Sequence, residues 1–480
     1  MTNHLHFVLF FILVFSGCES NRSDTNSIIN TISSEISSGN LTRARTLADS
    51  IHRIAKDETT LWKTDSLLQI TERIALDFSV TEEQVHAQLQ KRLGDKFAQS
   101  DIEKWEANGW LEYRILDGEK KYFNRAASNL VLLKNFNLDR SSRDSSEAEL
   151  TEKTFRKKHT ADIITASEGK SDPVVPVSME ITYTITVEPD VVPAGETVRC
   201  WLPYPKENSR RQSDVYLLGV SDDEFFVLSP DSVTHRTIYM EKKAEKGLPV
   251  IFRIAYSYKS SGQHFDPSGI KALQYDKKSA LYRKYTSEQL PQICFTDYVK
   301  RLADSITGNE TNPSEIVKKI YYWFNKNIPW AGALEYSIMT NIPEYVIKNK
   351  KGDCGMQTLL FMSMLRYKGI PVKWQSGWMV PPEDKNLHDW CEIFYEGTGW
   401  VPADISYNLQ YSGNMKLKEF YISGIDSYRL IINDGISGEL FPAKKFLRSE
   451  PYDFQRGEVE WSGGNIYFDK WDYNMQIIYK

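Results

Sequence analysis

Lys351-Gly352-Asp353-Cys354-Gly355-Met356-Gln357-Thr358 is the stretch on which the reading of this 480-residue chain turns. A helix is predicted to begin right after Cys354 and run to about Tyr367. Gly369 stands where a C-cap glycine would, and Pro371 blocks continuation. The helix is apolar nearly all round (Met356, Leu359, Leu360, Phe361, Met362, Met364, Leu365), which marks a central buried helix. A cysteine at its start faces the positive end of the helix dipole, a placement that lowers a thiol pKa and favours the thiolate. A lone cysteine is usually a packing residue. Glycines on either side, which allow close approach of a substrate, turn this one toward a nucleophile.

A nucleophilic cysteine needs a base. His388 is the only histidine after His264 and so is the one candidate in this part of the chain. It opens His388-Asp389-Trp390-Cys391-Glu392-Ile393-Phe394-Tyr395, whose alternation reads as a strand. Trp400-Val401-Pro402-Ala403-Asp404 follows the turn Glu396-Gly397-Thr398-Gly399 and reads as the returning strand. If Tyr395 pairs with Gly399 across a three-residue loop, His388 falls opposite Ser406 and Asp404 is its diagonal neighbour. Their β-carbons are then roughly 7–8 Å apart or somewhat less, a gap two side chains can close. A two-residue loop would put them on opposite faces. Parity also turns Cys391 and Asp389 away from His388. Cys391 therefore reads as packing, Asp389 as off the active face, and Asp404 as the group that orients the imidazole.

The blocks GDCGMQT, GIPVKWQSGW and LHDWCEIFYEGTGWVPAD, in the order Cys, His, Asp, resemble the transglutaminase-like core over about residues 315 to 410. The segment VPAGETVRCWLPYP resembles the β-domain that precedes such cores in many bacterial proteins. The resemblance implies an α+β, papain-like fold, with the cysteine helix packed on an antiparallel sheet. It implies Cys354 as nucleophile, His388 as general base and acid, and Asp404 as the orienting residue. Many such proteins carry His-Ala-Trp where this chain has His-Asp-Trp. The Cys354 N–H is a natural oxyanion donor at a helix start. The indole N–H of Trp330 is a second candidate, with core packing as the competing reading. Trp374 and Trp378 either line the cleft or pack.

The length calls for two or three domains. With 41% hydrophobic and 26% charged residues the composition is that of globular proteins, and a net charge of -5 gives no reason to propose nucleic-acid binding. Phe7 to Phe15 is an apolar run of signal-peptide length, too short to span a bilayer. It ends in Phe15-Ser16-Gly17-Cys18 and resembles a bacterial lipoprotein signal over residues 1–18, with Cys18 as the lipidated residue. An exported, lipid-anchored envelope protein is expected. Cys200, Cys294 and Cys391 could form at most one disulfide if Cys354 stays free.

Residues 28–134 read as a helical, loosely winged-helix-like module with a hairpin at Asp117-Gly118. Residues 135–176 read as a Ser-rich, charged linker that is helical in part. A β-sandwich is predicted over 177–262, the catalytic core over 285–425, and a β-rich extension over 426–480. Pro313 to Asn327 is predicted as a strongly buried helix. The expected chemistry is attack of Cys354 on a peptide or protein amide, giving a thioester that an amine or water resolves. The other reading is an envelope binding or scaffold module that keeps the fold without turnover. No cofactor is expected and nothing requires a metal. Acidic pairs such as Asp222-Asp223 read as surface turns.

Overall fold

A computed structural model describes residues 19–480, except 95, 138–146, 208, 222–224 and 383. The proposed signal segment, Cys18 and the Asp222-Asp223 pair lie outside the described residues. The chain is of the α+β class. It divides into two units, one of residues up to 76 with 114–121, the other of 77–113 with 122–480.

The first unit holds α1 (Glu19–Ser37), α2 (Leu41–Ile54), α3 (Glu58–Asp77, whose last residue belongs to the second unit) and the turn between β1 (Tyr113–Leu116) and β2 (Glu119–Tyr122). The Asp-Gly hairpin forms where the sequence predicts it. It also closes the start of α2, whose N-cap Asn40 makes no side-chain cap. Instead Asp117 accepts from the Thr42 backbone N–H at 3.0 Å and from its hydroxyl at 2.8 Å. A carboxylate there satisfies orphan helix donors and complements the dipole.

The second unit begins with α4 (Glu82–Leu93), α5 (Gln99–Ala107), α6 (Ala126–Asn137) and α7 (Glu147–Ala166). Within the stretch read as a linker, α7 is a packed helix: Ile163 sits so close to Gly262 that an added β-carbon there would lie 2.3 Å away. Next come β3 (Val174–Val187), β4 (Thr197–Pro203), β5 (Gln212–Val220), β6 (Phe226–Leu228), β7 (Thr237–Lys243) and β8 (Val250–His264). Helices α8 (Ala280–Thr286), α9 (Asp297–Thr307), α10 (Pro313–Asn327), α11 (Ile342–Asn349) and α12 (Cys354–Tyr367) follow. The chain continues through β9 (Val372–Met379), β10 (Asn386–Tyr395), β11 (Gly399–Ala403), α13 (Met415–Lys418), β12 (Gly424–Ile425), β13 (Arg429–Asn433), β14 (Glu458–Trp461), β15 (Gly464–Ile466) and β16 (Trp471–Tyr479).

Three sheets organise these strands. One has the order β12-β8-β3-β16, with β5 also on β8; a second has β15-β14-β4-β7-β6; the third has β11-β10-β9-β13. Alternating inward residues such as Met179, Ile181, Tyr183 and Ile185 of β3 meet Cys200, Leu202 and Ile238 of the second sheet in one core. Trp378, Val380, Leu430 and Ile432 of the third sheet join that core. The C-terminal strands complete the first two sheets: Met179 pairs with Tyr479 and Cys200 with Val459.

Helix α12 ends at Tyr367 as its sequence predicts and takes in Cys354 itself as its first residue. Asp353 caps it, its side chain accepting from the Met356 N–H at 3.0 Å. Every residue from Cys354 to Arg366 is buried. At the far end Gly369, at φ +74°, allows the Ile370 N–H to reach back to the Leu365 carbonyl at 2.9 Å. Helix α10 likewise opens on its Asn312 cap and Pro313.

Candidate active site

The hairpin of β10 and β11 has the three-residue loop on which the sequence argument depends. Tyr395 pairs with Gly399 and Cys391 with Ala403. Asp404 follows directly and lies on the His388 side of the sheet. The His388 Nε2 and Asp404 Oδ2 are 2.7 Å apart, and both residues are buried. Since Nε2 is engaged, Nδ1 is the ring nitrogen left for a reacting partner; it makes no hydrogen bond among the described residues.

Asp404 is held from several directions. Ser406 donates to Oδ1 through its hydroxyl at 3.0 Å and its N–H at 3.2 Å. Arg429 Nη1 lies 2.9 Å from Oδ2. Arg429 is fully buried and also donates to Asp426, through Nε at 3.0 Å and Nη2 at 2.7 Å. Its guanidinium stacks 4.5 Å from the centre of the Tyr407 ring, and Tyr407 meets the His388 ring edge to face at 5.0 Å. Burial favours a protonated Asp404, but His388 and Arg429 outweigh it and hold the carboxyl below its ordinary range. Burial pushes the His388 pKa down; Asp404 opposes this and Arg429 adds to it. The site therefore presents a neutral imidazole against an ionised carboxylate, the state a general base needs. Arg429, Asp426 and Tyr407 were not picked out from the sequence. The Asp426–Arg429 spacing is visible there, but nothing local ties it to His388.

Cys354 begins α12 as expected, yet its partner is not His388. The thiol donates to Asp389 Oδ2 at 3.2 Å, and no hydrogen bond joins Cys354 to His388 among the described residues. This corrects the reading of Asp389 as off the active face. Neighbouring strand residues point to opposite sides, and α12 lies over the side of Asp389 and Cys391. Gly355 makes the approach possible: a β-carbon there would stand 2.7 Å from Asp389 Oδ2 and 2.3 Å from the Tyr336 hydroxyl. Gln455 fixes the carboxylate from behind, its Nε2 donating to Asp389 Oδ1 at 2.9 Å and to the His388 carbonyl at 3.0 Å.

The thiol chemistry differs accordingly from the helix-dipole expectation. Burial pushes the Cys354 pKa well up, and the nearby Asp389 and Asp353 carboxylates push it further. Asp389 itself is raised by burial and by Asp453. Burial is also the main cause that lifts Asp453 to about 7. Asp453 Oδ1 is buried and makes no hydrogen bond among the described residues.

Cys391 is a buried packing residue whose Sγ faces the Ala403 carbonyl at 3.6 Å. Cys200, Cys294, Cys354 and Cys391 are all free thiols. Trp374 and Trp378 are buried, the latter within the shared core. Trp330 is 41% exposed. Its backbone forms a parallel bridge to Gly352, two residues before the cysteine. The loop from Trp330 to Met339 is pinned by the helical part of the same unit. Asn129 donates to the Gly332 carbonyl at 2.9 Å and accepts from its N–H at 2.8 Å, and Asp77 accepts from the Glu335 N–H at 2.8 Å. Tyr336 on this loop donates to Asp353 at 2.5 Å.

A cysteine thus heads a buried helix that packs on an antiparallel sheet carrying a His–Asp pair. Residues 300–405 match the transglutaminase-like superfamily. An uncharacterized protein of Haemophilus influenzae is 26% identical over 164 residues, which are 28% of this chain and 42% of that protein. The match thus spans less than half the length of that relative. Among solved structures, a protein of Cytophaga hutchinsonii provisionally described as a cysteine protease is similar at 14% identity and a TM-score of 0.42, over 64% of this chain and 91% of that one. The periplasmic domain of TgpA from Pseudomonas aeruginosa is similar at 15% identity and a TM-score of 0.25, over 51% and 91%.

Proposed function

We propose that this chain is a cysteine acyltransferase or hydrolase acting on peptide or protein amides through a thioester on Cys354. His388 serves as general base and then general acid, and Asp404 orients the imidazole. The observation that supports this most is the buried 2.7 Å contact of His388 with Asp404, braced by Arg429, inside a transglutaminase-like core. In the reaction the thiol gives its proton to the imidazole and sulfur adds to the amide carbon. The C–N bond then breaks and the amine leaves with that proton. Water or a primary amine next adds to the thioester, freeing the thiol and giving an acid or a new amide. The Cys354 N–H, first in its helix and so without an intrahelical acceptor, is placed to stabilise the oxyanion, and Trp330 is the side-chain candidate for a second donor.

The test is incubation with a mixed peptide pool, with and without a primary amine, read by mass spectrometry. Amine adducts support transfer and gains of water alone support hydrolysis. Both should disappear in Cys354→Ala. Identical spectra from wild type and Cys354→Ala across a broad pool would overturn the reading. They would favour instead an envelope binding module without turnover, which the contact of Cys354 with Asp389 rather than His388 supports. The buried His388–Asp404 pair lies within the stretch that matches the transglutaminase-like superfamily, and for that reason we rank catalysis first.

The apolar run Phe7 to Phe15 ahead of Cys18 supports an exported chain held at a membrane by a lipid on Cys18. Metabolic labelling with a fatty-acid analogue should mark the wild type and not Cys18→Ser. Equal labelling of both would remove the anchor.

A further inference from the structure

We infer that Asp389 holds the resting protein in a latent state, keeping Cys354 as a neutral thiol through a hydrogen bond in which the thiol donates to its carboxylate. Three features of the geometry carry this. The 3.2 Å contact runs from Sγ to Oδ2, while Gln455 occupies Oδ1. The approach exists because Gly355 has no side chain; an alanine there would collide with Asp389 and Tyr336. Asp453 stands behind Asp389, and its Oδ1 is buried and makes no hydrogen bond among the described residues. Asp453 sits at φ +60°, a backbone region that is uncommon for a non-glycine residue.

The titratable groups facing this thiol are Asp353 on its own helix, Asp389 from β10, Asp453 from the segment before β14, and Tyr336 from the loop beside them. Three of the four are acids and none is a base. A thiolate formed here is opposed on every side until a substrate or partner displaces the Asp389 carboxylate. Asp389 is thus a positioning residue that sets the proton on the nucleophile. The inference concerns the same thiol as the proposed reaction but is read without any amide substrate, so the two can fail separately.

The experiment is the rate of iodoacetamide alkylation of the Cys354-bearing peptide in the folded full chain, followed by mass spectrometry from acid to alkaline pH. Each unit by which a thiol pKa falls gives tenfold more thiolate, of which the lower nucleophilicity returns about a factor of three. Removing a close like charge is worth about two such units, so Asp389→Asn should alkylate about tenfold faster than wild type at pH 7, with its pH midpoint moved down. Asp389→Glu should stay slow. Asp453→Asn should be no faster than wild type, because Asp389 then carries the whole charge. A loosened fold would speed both asparagine variants alike. That result, or an Asp389→Asn rate within about twofold of wild type, overturns the inference. If Asp389→Asn does not fold, the infrared S–H stretch in the wild type minus Cys354→Ala difference spectrum at pH 8 decides. Its presence supports a neutral thiol and its absence refutes one.

Discussion

Arg429→Ala is expected to destabilise the second unit by roughly 3–5 kcal/mol, the range for removing one partner of a buried ionic cluster. The guanidinium has no exposed surface and faces two buried carboxylates, Asp404 and Asp426. Its removal leaves both charges in a medium that cannot solvate them. The pH dependence follows from the wild type. Burial works against ionisation of Asp426, but Arg429 outweighs it and holds the group well below the usual carboxylate range; Asp404 is held down in the same direction. A depressed folded pKa contributes stability that is present above the unfolded pKa and is lost as pH falls through the folded one. The gap between wild type and variant should therefore be widest near neutrality and shrink below about pH 4. Urea unfolding at pH 7 and at about pH 3, inside that window, measures it. A constant difference at both would mean that Arg429 acts by packing on Tyr407 and Trp390 and not by charge.

Gly377→Ala is the second large effect, at about 3 kcal/mol, the upper end for overpacking a filled site. Gly377 lies in the third sheet, paired with His388 on one side and Ile431 on the other. An added β-carbon would sit 2.0 Å from the Leu430 carbonyl oxygen and 3.0 Å from the Ile432 nitrogen. Both are backbone atoms of β13, and neither can swing aside. The strand must part from β9, and Arg429 at its head moves with it. Loss of stability should thus come with a disturbed His388–Asp404 pair, seen as a shift in the His388 imidazole proton resonances. A fall in stability that leaves those resonances in place would show that the strain is absorbed elsewhere.

Much of the site was legible because its signals are local. The apolar run, Gly369 and Pro371 marked α12 and its end unaided. The loop length at Gly397 set the parity of His388 and Asp404, because side chains alternate with period two and one residue more or less inverts the result. Parity tells which residues share a face, but it cannot tell which face α12 will cover. That depends on how α12 packs against β10, and on it Asp389 was misread. Arg429 was invisible for a related reason. Its role exists only once β13 lies beside β9, a pairing that no pattern within β13 specifies. The segment after 426 read as strand-rich, but its partners β3 and β4 lie far back in the chain.

That last pairing has a consequence for biosynthesis. Strand β3 emerges long before β16, since Met179 must wait for Tyr479, 300 positions later. Throughout that interval one edge of β3 offers unpaired backbone groups along a 14-residue strand, the kind of edge on which neighbouring chains join. A nascent chain stalled short of β16 is therefore sticky in a way the finished protein is not. Cells that make this protein have reason to keep it escorted until its final strand is in place.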